Sequence, residues 1–156
     1  MAPCLPAPRP DPAVGGAAYP APMAAAPVRR LTDDVPADVE RRLRRLCLAL
    51  PDAYEEHAWV GTRWRVRKRT FVHVLGVDDP VDGAHVVMTF RAAGEELEAL
   101  RHAGPPFHVL GWGRDAMGLT LDAATDWDEV AELVVESYCV LAPRKLVALV
   151  DRPDPT

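Results

Sequence analysis

Arg63-Trp64-Arg65-Val66-Arg67-Lys68-Arg69, followed by Thr70-Phe71-Val72-His73-Val74-Leu75, decides how this chain folds. Successive side chains of a strand point to opposite faces of a sheet, so Trp64 and Val66 share one face while Arg63, Arg65 and Arg67 share the other. A tight turn near Lys68-Arg69 then lets the apolar run 71–75 continue the core as the second arm of a hairpin. The reading is a cationic strand at the edge of a globular domain. Such a strand suits contact with an anion, for instance a nucleic-acid backbone. It equally suits a sheet that faces water and carries charge for solubility.

Upstream of the hairpin, Pro36 stands at the first turn of a helix in which Val39, Leu43, Leu46, Cys47 and Leu50 recur at helical spacing. Arg41, Arg42, Arg44 and Arg45 lie mostly off that stripe, and Pro51 ends the helix. Downstream, Asp78, Asp79, Pro80 and Gly83 turn the chain into a strand over 84–90. A short helix over 94–103 is closed by Gly104-Pro105-Pro106, and strand character resumes at 107–110 and 117–121. Thr125-Asp126-Trp127-Asp128 has capping-box spacing and predicts a long helix carrying Val130, Leu133, Val134, Tyr138 and Leu141. Pro143 interrupts it before a last amphipathic turn with Leu146, Leu149 and Val150. The fold class is α+β: an antiparallel sheet with wing-like hairpins packed against N- and C-terminal helices.

With 156 residues and 49% hydrophobic content, the chain can bury one core without disulfides or metals. Residues 1–30 are read as a disordered Pro/Ala-rich tail, 31–151 as the domain and 152–156 as a short disordered tail. Met23, just before the first charged, structured-looking residues, marks a second candidate start of translation, which an intact mass lacking residues 1–22 would establish. The formal charge is −5, but residues 29–69 hold eleven Lys/Arg against seven Asp/Glu, and residues 70–156 hold six against fifteen. So lopsided a molecule can orient toward an anion despite its net charge. Cys4, Cys47 and Cys139 are odd in number and lack C-x-x-C spacing, which points to reduced thiols in the cytoplasm rather than to a disulfide framework or zinc. No apolar run reaches the roughly 18 residues that span a bilayer, so no membrane partner is expected.

Motifs for familiar chemistry are missing: no phosphate-cradling loop, dinucleotide fingerprint or nucleophile elbow occurs. No catalytic residue, cofactor or metal is therefore assigned. The loop Gly111-Trp112-Gly113-Arg114-Asp115 offers an indole for stacking and a guanidinium for an anion, and is also an ordinary turn. Glu55 and Glu56 pair most simply with nearby arginines. His73 and His85 fall on neighbouring strands, where one residue of register decides whether they share a face.

Leu50-Pro51-Asp52-Ala53-Tyr54-Glu55-Glu56, then Trp59, then the Arg63–His73 hairpin resemble the opening of the MmcQ/YjbR family of small bacterial proteins. Trp127-Asp128-Glu129-Val130 and Ser137-Tyr138-Cys139-Val140-Leu141-Ala142-Pro143-Arg144-Lys145-Leu146 resemble its final helix and its S-Y-x-L-x-A-P-K-K-L ending. Order and spacing agree over roughly residues 37–150. The resemblance implies a frataxin-like, double-wing arrangement. It brings no catalytic residues, and a DNA-binding label that rests on the wing-like hairpins is an analogy of fold. Iron-handling relatives of that fold are expected to be acidic where this chain carries Arg41, Arg42, Arg44, Arg45, Arg63, Arg65 and Arg67, which argues against iron.

Two function classes follow. One is DNA binding through phosphate contacts from Arg63, Arg65, Arg67, Lys68 and Arg69, with Arg41, Arg44 and Arg45 as a second basic surface. The other is non-catalytic binding or sequestering of a small aromatic ligand between sheet and helices, by Trp59, Trp112, Arg114 and Tyr138.

Overall fold

The computed structural model describes residues 29–110 and 113–150. Most of the N-terminal tail with Met23, the short C-terminal tail, and Trp112 lie outside the described residues. Arg30, assigned above to the tail, opens the first strand, β1 (Arg30–Thr32). The chain continues through α1 (Ala37–Leu48), β2 (Tyr54–His57), β3 (Thr62–Val66), β4 (Arg69–Asp79), β5 (Gly83–Arg91) and α2 (Gly94–Arg101). It closes with β6 (Phe107–Val109), β7 (Ala116–Leu121), α3 (Trp127–Leu141) and α4 (Arg144–Val147). The strands form one antiparallel sheet in the order β2-β3-β4-β5-β7-β6, with β1 pairing to the far end of β4. The fold is α+β, with helices near both chain ends, consistent with a double wing.

Register sorts the side chains. Trp64 lies opposite Val72 and Thr62 opposite Val74. Beyond them Val72 pairs with Phe90 and Val74 with Met88, then Phe90 with Met117 and Met88 with Leu119. These rows make the inner face, which packs with Leu43 and Cys47 of α1 and with Val130, Leu133, Val134 and Tyr138 of α3. Trp64 and Tyr138 are completely buried there. Apolar burial of this kind, at about 25 cal/mol per Å2, is what holds sheet and helices together.

Two neighbouring residues of α3 tie the helix to the strands. Ser137 Oγ accepts from the Arg91 N–H at 2.7 Å and donates to the Phe71 carbonyl, so a side chain bridges β4 and β5 just where their ladder ends. The Tyr138 hydroxyl donates to the Pro51 carbonyl at 2.6 Å, and its ring meets Phe71 edge-on with centroids 5.4 Å apart. The Ser137-Tyr138 and Leu50-Pro51 segments, singled out separately in the sequence, thus meet in space.

Two local expectations shift by a residue. The hairpin turn is Arg67-Lys68, not Lys68-Arg69: Val66 pairs with Arg69, and both turn residues have positive φ, 51° and 68°. A two-residue loop needs that backbone to match strand twist. The N-cap of α3 is Asp126, whose carboxylate accepts from the N–H groups of Asp128 and Glu129, while Thr125 Oγ1 accepts from the Asp122 N–H. The aspartate, being charged, also complements the positive helix end.

Candidate functional site

Among the described residues, no helix covers the outer face of the sheet. In register across it run Glu56, Arg63, His73 and Thr89. Glu55, one residue from Glu56, points to the inner side, where it accepts from Arg44 Nε at 2.7 Å and from the buried Trp64 indole N–H at 3.0 Å. Those bonds, the Arg44 one foremost, hold its carboxyl below the usual range. The adjacent glutamates therefore serve opposite faces.

The expected cationic strand is present but answered. Arg63 and Arg65 do share the outer face, and Glu56 Oε1 accepts from Arg63 Nε at 2.6 Å and from Arg65 Nη1 at 3.2 Å. These arginines, with Arg63 foremost, hold the Glu56 carboxyl below its ordinary value. Arg67 leaves the row because it stands in the turn, where Nη2 reaches Asp52 at 3.5 Å. Within the sheet β3 lies between β2 and β4. Of the second basic surface, Arg44 is bridged to both Glu40 and Glu55. Lys68 and Arg69 in the hairpin, and Arg41 and Arg45 on α1, are exposed and make no ion pair among the described residues. Arg42 lies over the Trp127 ring, 5.1 Å from its centroid, beside a mixed-charge groove between α1 and α3.

A cavity of about 370 Å3 opens on the outer face. Trp59, Arg63, Thr70, His73, Thr89 and Arg91 line it, with Leu31, Ala58, Phe71, Phe90 and Ala116 as its apolar remainder. Trp59 is 78% exposed, in contrast to the buried Trp64. The loop bearing Trp59 is nonetheless firmly held: Ala58 N–H donates to the Gly61 carbonyl at 3.0 Å, and Gly61 N–H donates to Asp33 Oδ1 at 2.6 Å. His73 Nε2 lies 2.7 Å from the Val60 carbonyl and so carries the proton of that bond. Gly61 has φ +73°, and a Cβ there would sit 2.0 Å from the Val74 carbonyl oxygen, so only glycine lets the loop lie this close to β4. Burial pushes the His73 imidazole below the ordinary histidine range.

Among the described residues, Trp59 is thus the one member of the expected ligand set that lines this cavity. Tyr138 is buried on the helix side with its hydroxyl engaged, Arg114 is exposed in the turn before β7 and outside the lining, and Trp112 is not among the described residues. The cavity also lies on the other side of the sheet from the helices, because the space between sheet and helices is filled by the core. Thr70, Thr89 and Arg91 were not read as site residues from the sequence, and His73 was considered only as a partner of His85. Their signal was a polar residue at alternate positions of otherwise apolar strands, as in Phe71-Val72-His73-Val74 and Val87-Met88-Thr89-Phe90. His73 and His85 do share the outer face, but His73 pairs with Thr89 while His85 pairs with Val77, four positions along β4. Among the described residues no cluster of His, Cys, Asp or Glu has metal-binding geometry, and no helix is long and apolar enough to cross a membrane.

A family model described as YjbR matches residues 48–140, more than half the chain, from the end of α1 to near the end of α3. No curated protein matches.

Proposed function

The chain belongs to the YjbR family, and on that premise we propose that it is a non-catalytic binding protein for a small flat molecule, held on the outer face of the sheet. The observation that carries this reading is an indole 78% exposed on a loop pinned by hydrogen bonds, at a cavity whose volume is within the range of ligand sites. An exposed indole on a backbone held in place offers a large stacking area with only about two side-chain torsions to fix on binding. The test is a thermal-shift screen of aromatic metabolites and natural products on wild type and Trp59→Ala. A ligand that raises the melting temperature of wild type but not of the variant supports the reading. A screen without any reproducible shift, or shifts equal in both proteins, refutes it.

A second reading is favoured by the exposed cations that make no ion pair: phosphate contacts through Lys68 and Arg69, with Arg41 and Arg45 as a further surface. It does not use Arg63, Arg65 or Arg67, which are already engaged in ion pairs with Glu56 and Asp52. Fluorescence anisotropy of a mixed-sequence duplex over a salt series tests it, since neutralised phosphates appear in the salt slope. Equal affinity and slope in wild type and Lys68→Glu/Arg69→Glu would end this reading.

A further inference from the structure

Resting on the outer-face binding site proposed above, we infer that its ligand is an aromatic monoanion, such as a ring carboxylate, whose acid group is held at Arg63 and Arg91 while its ring stacks on Trp59. The charge of the lining points there. Although the whole chain has 23 acidic against 18 basic residues, no carboxylate among the described residues lines this cavity, whereas two guanidinium groups do.

Those guanidiniums are oriented but not used up. Arg63 spends Nε and Nη2 on Glu56, and Arg91 spends Nη1 on Asp115 at 2.7 Å. A guanidinium has five N–H donors, so each retains some for a ligand oxygen. The local charge is also unbalanced. Arg91 has Asp115 as its partner, but Arg63 and Arg65 share the single Glu56. One positive charge is left over beside the cavity, which one anionic group would complete.

Further along the lining, the Thr70 and Thr89 hydroxyls make no hydrogen bond with the described residues, and Thr89 is 8% exposed. Unused hydroxyls beside surplus cationic donors suit carboxylate oxygens, which accept only. The Trp59 indole supplies aromatic surface to the same cavity. A neutral ring would use the indole and leave the guanidinium and hydroxyl donors idle.

Isothermal titration of the full chain with benzoate, 1-naphthoate and 9-anthroate, each against its carboxamide, tests the inference. At least one acid is expected to bind about tenfold more tightly than its amide, as a charge-assisted contact requires. Arg63→Gln should reduce that preference to below about threefold, and Arg63→Lys should keep part of it. Urea midpoints establish that both variants are folded. If acid and amide bind equally and Trp59→Ala removes both, the anion inference is wrong while the site itself stands. If neither acids nor amides bind at millimolar concentration, the inference falls together with the site.

Discussion

The two faces of the sheet solve opposite problems with the same strands. On the inner face, Trp64, Val72, Val74, Met88 and Met117 are covered by helices, and even the Trp64 indole N–H has a partner in Glu55. On the outer face, one register position away across β3 and β4, arginine, histidine and threonine border an open cavity, and a tryptophan stands out in solvent. The first arrangement stabilises and the second presents. Trp64 and Trp59, five residues apart, are the sharpest pair for testing that difference.

Trp64→Ala should cost about 3–5 kcal/mol, because it leaves a cavity in the core and strips Glu55 of a donor, whereas Trp59→Ala should stay within about 0.5 kcal/mol. Urea denaturation of both variants measures the contrast, and comparable losses would break it. Gly61→Ala is expected to lose at least about 2 kcal/mol, since it combines a left-handed backbone with a clash on the Val74 carbonyl. It should also weaken any ligand that needs Trp59 in place. Ser137→Ala removes the bridge between Arg91 N–H and the Phe71 carbonyl, leaving both strands short of a partner, for a loss of about 1–3 kcal/mol.

Acid should act through the outer face. His73 titrates below the ordinary histidine value of 6.5 in the folded protein, chiefly because it is buried, so the unfolded chain takes up its proton first as pH falls. Stability from this group is therefore complete above about pH 6.5 and declines from there downward through the folded value. His108, held down first by desolvation and then by His85, tilts stability the same way. Urea midpoints at pH 7.5 and 5.5 for wild type and His73→Gln isolate the contribution: the variant should show the shallower decline. The smallest effect is expected at the hairpin, where Lys68→Gly relieves a positive φ at some entropic cost and should stabilise by about 0.5 kcal/mol.

Alternation around Trp64 made the hairpin and its buried face legible, and proline and apolar spacing made α1 and α3 legible. The candidate site was legible only in fragments. Trp59 could be named, but a site that takes Arg63 from β3, His73 from β4, Thr89 from β5 and a loop residue depends on register, and register is not written in any one strand. The same limit explains Tyr138: its aromatic character fitted a ligand pocket, while its position facing Phe71 and Pro51 makes it a core residue.

Local pattern by itself determined the α+β class, the helices at both ends and the hairpin, because periodicity and turn chemistry act between residues near in sequence, while the family was legible through the motif resemblance of the 50–56 and 137–146 segments. Only the tertiary structure decided which arginines are neutralised, since Glu56 meets Arg63 and Arg65, and Asp52 meets Arg67, across strands and turns. It alone decided which tryptophan is core and which is surface. A charge or an indole takes its role from what the fold places opposite it, and ion pairing and burial both act over distances that the chain closes only on folding.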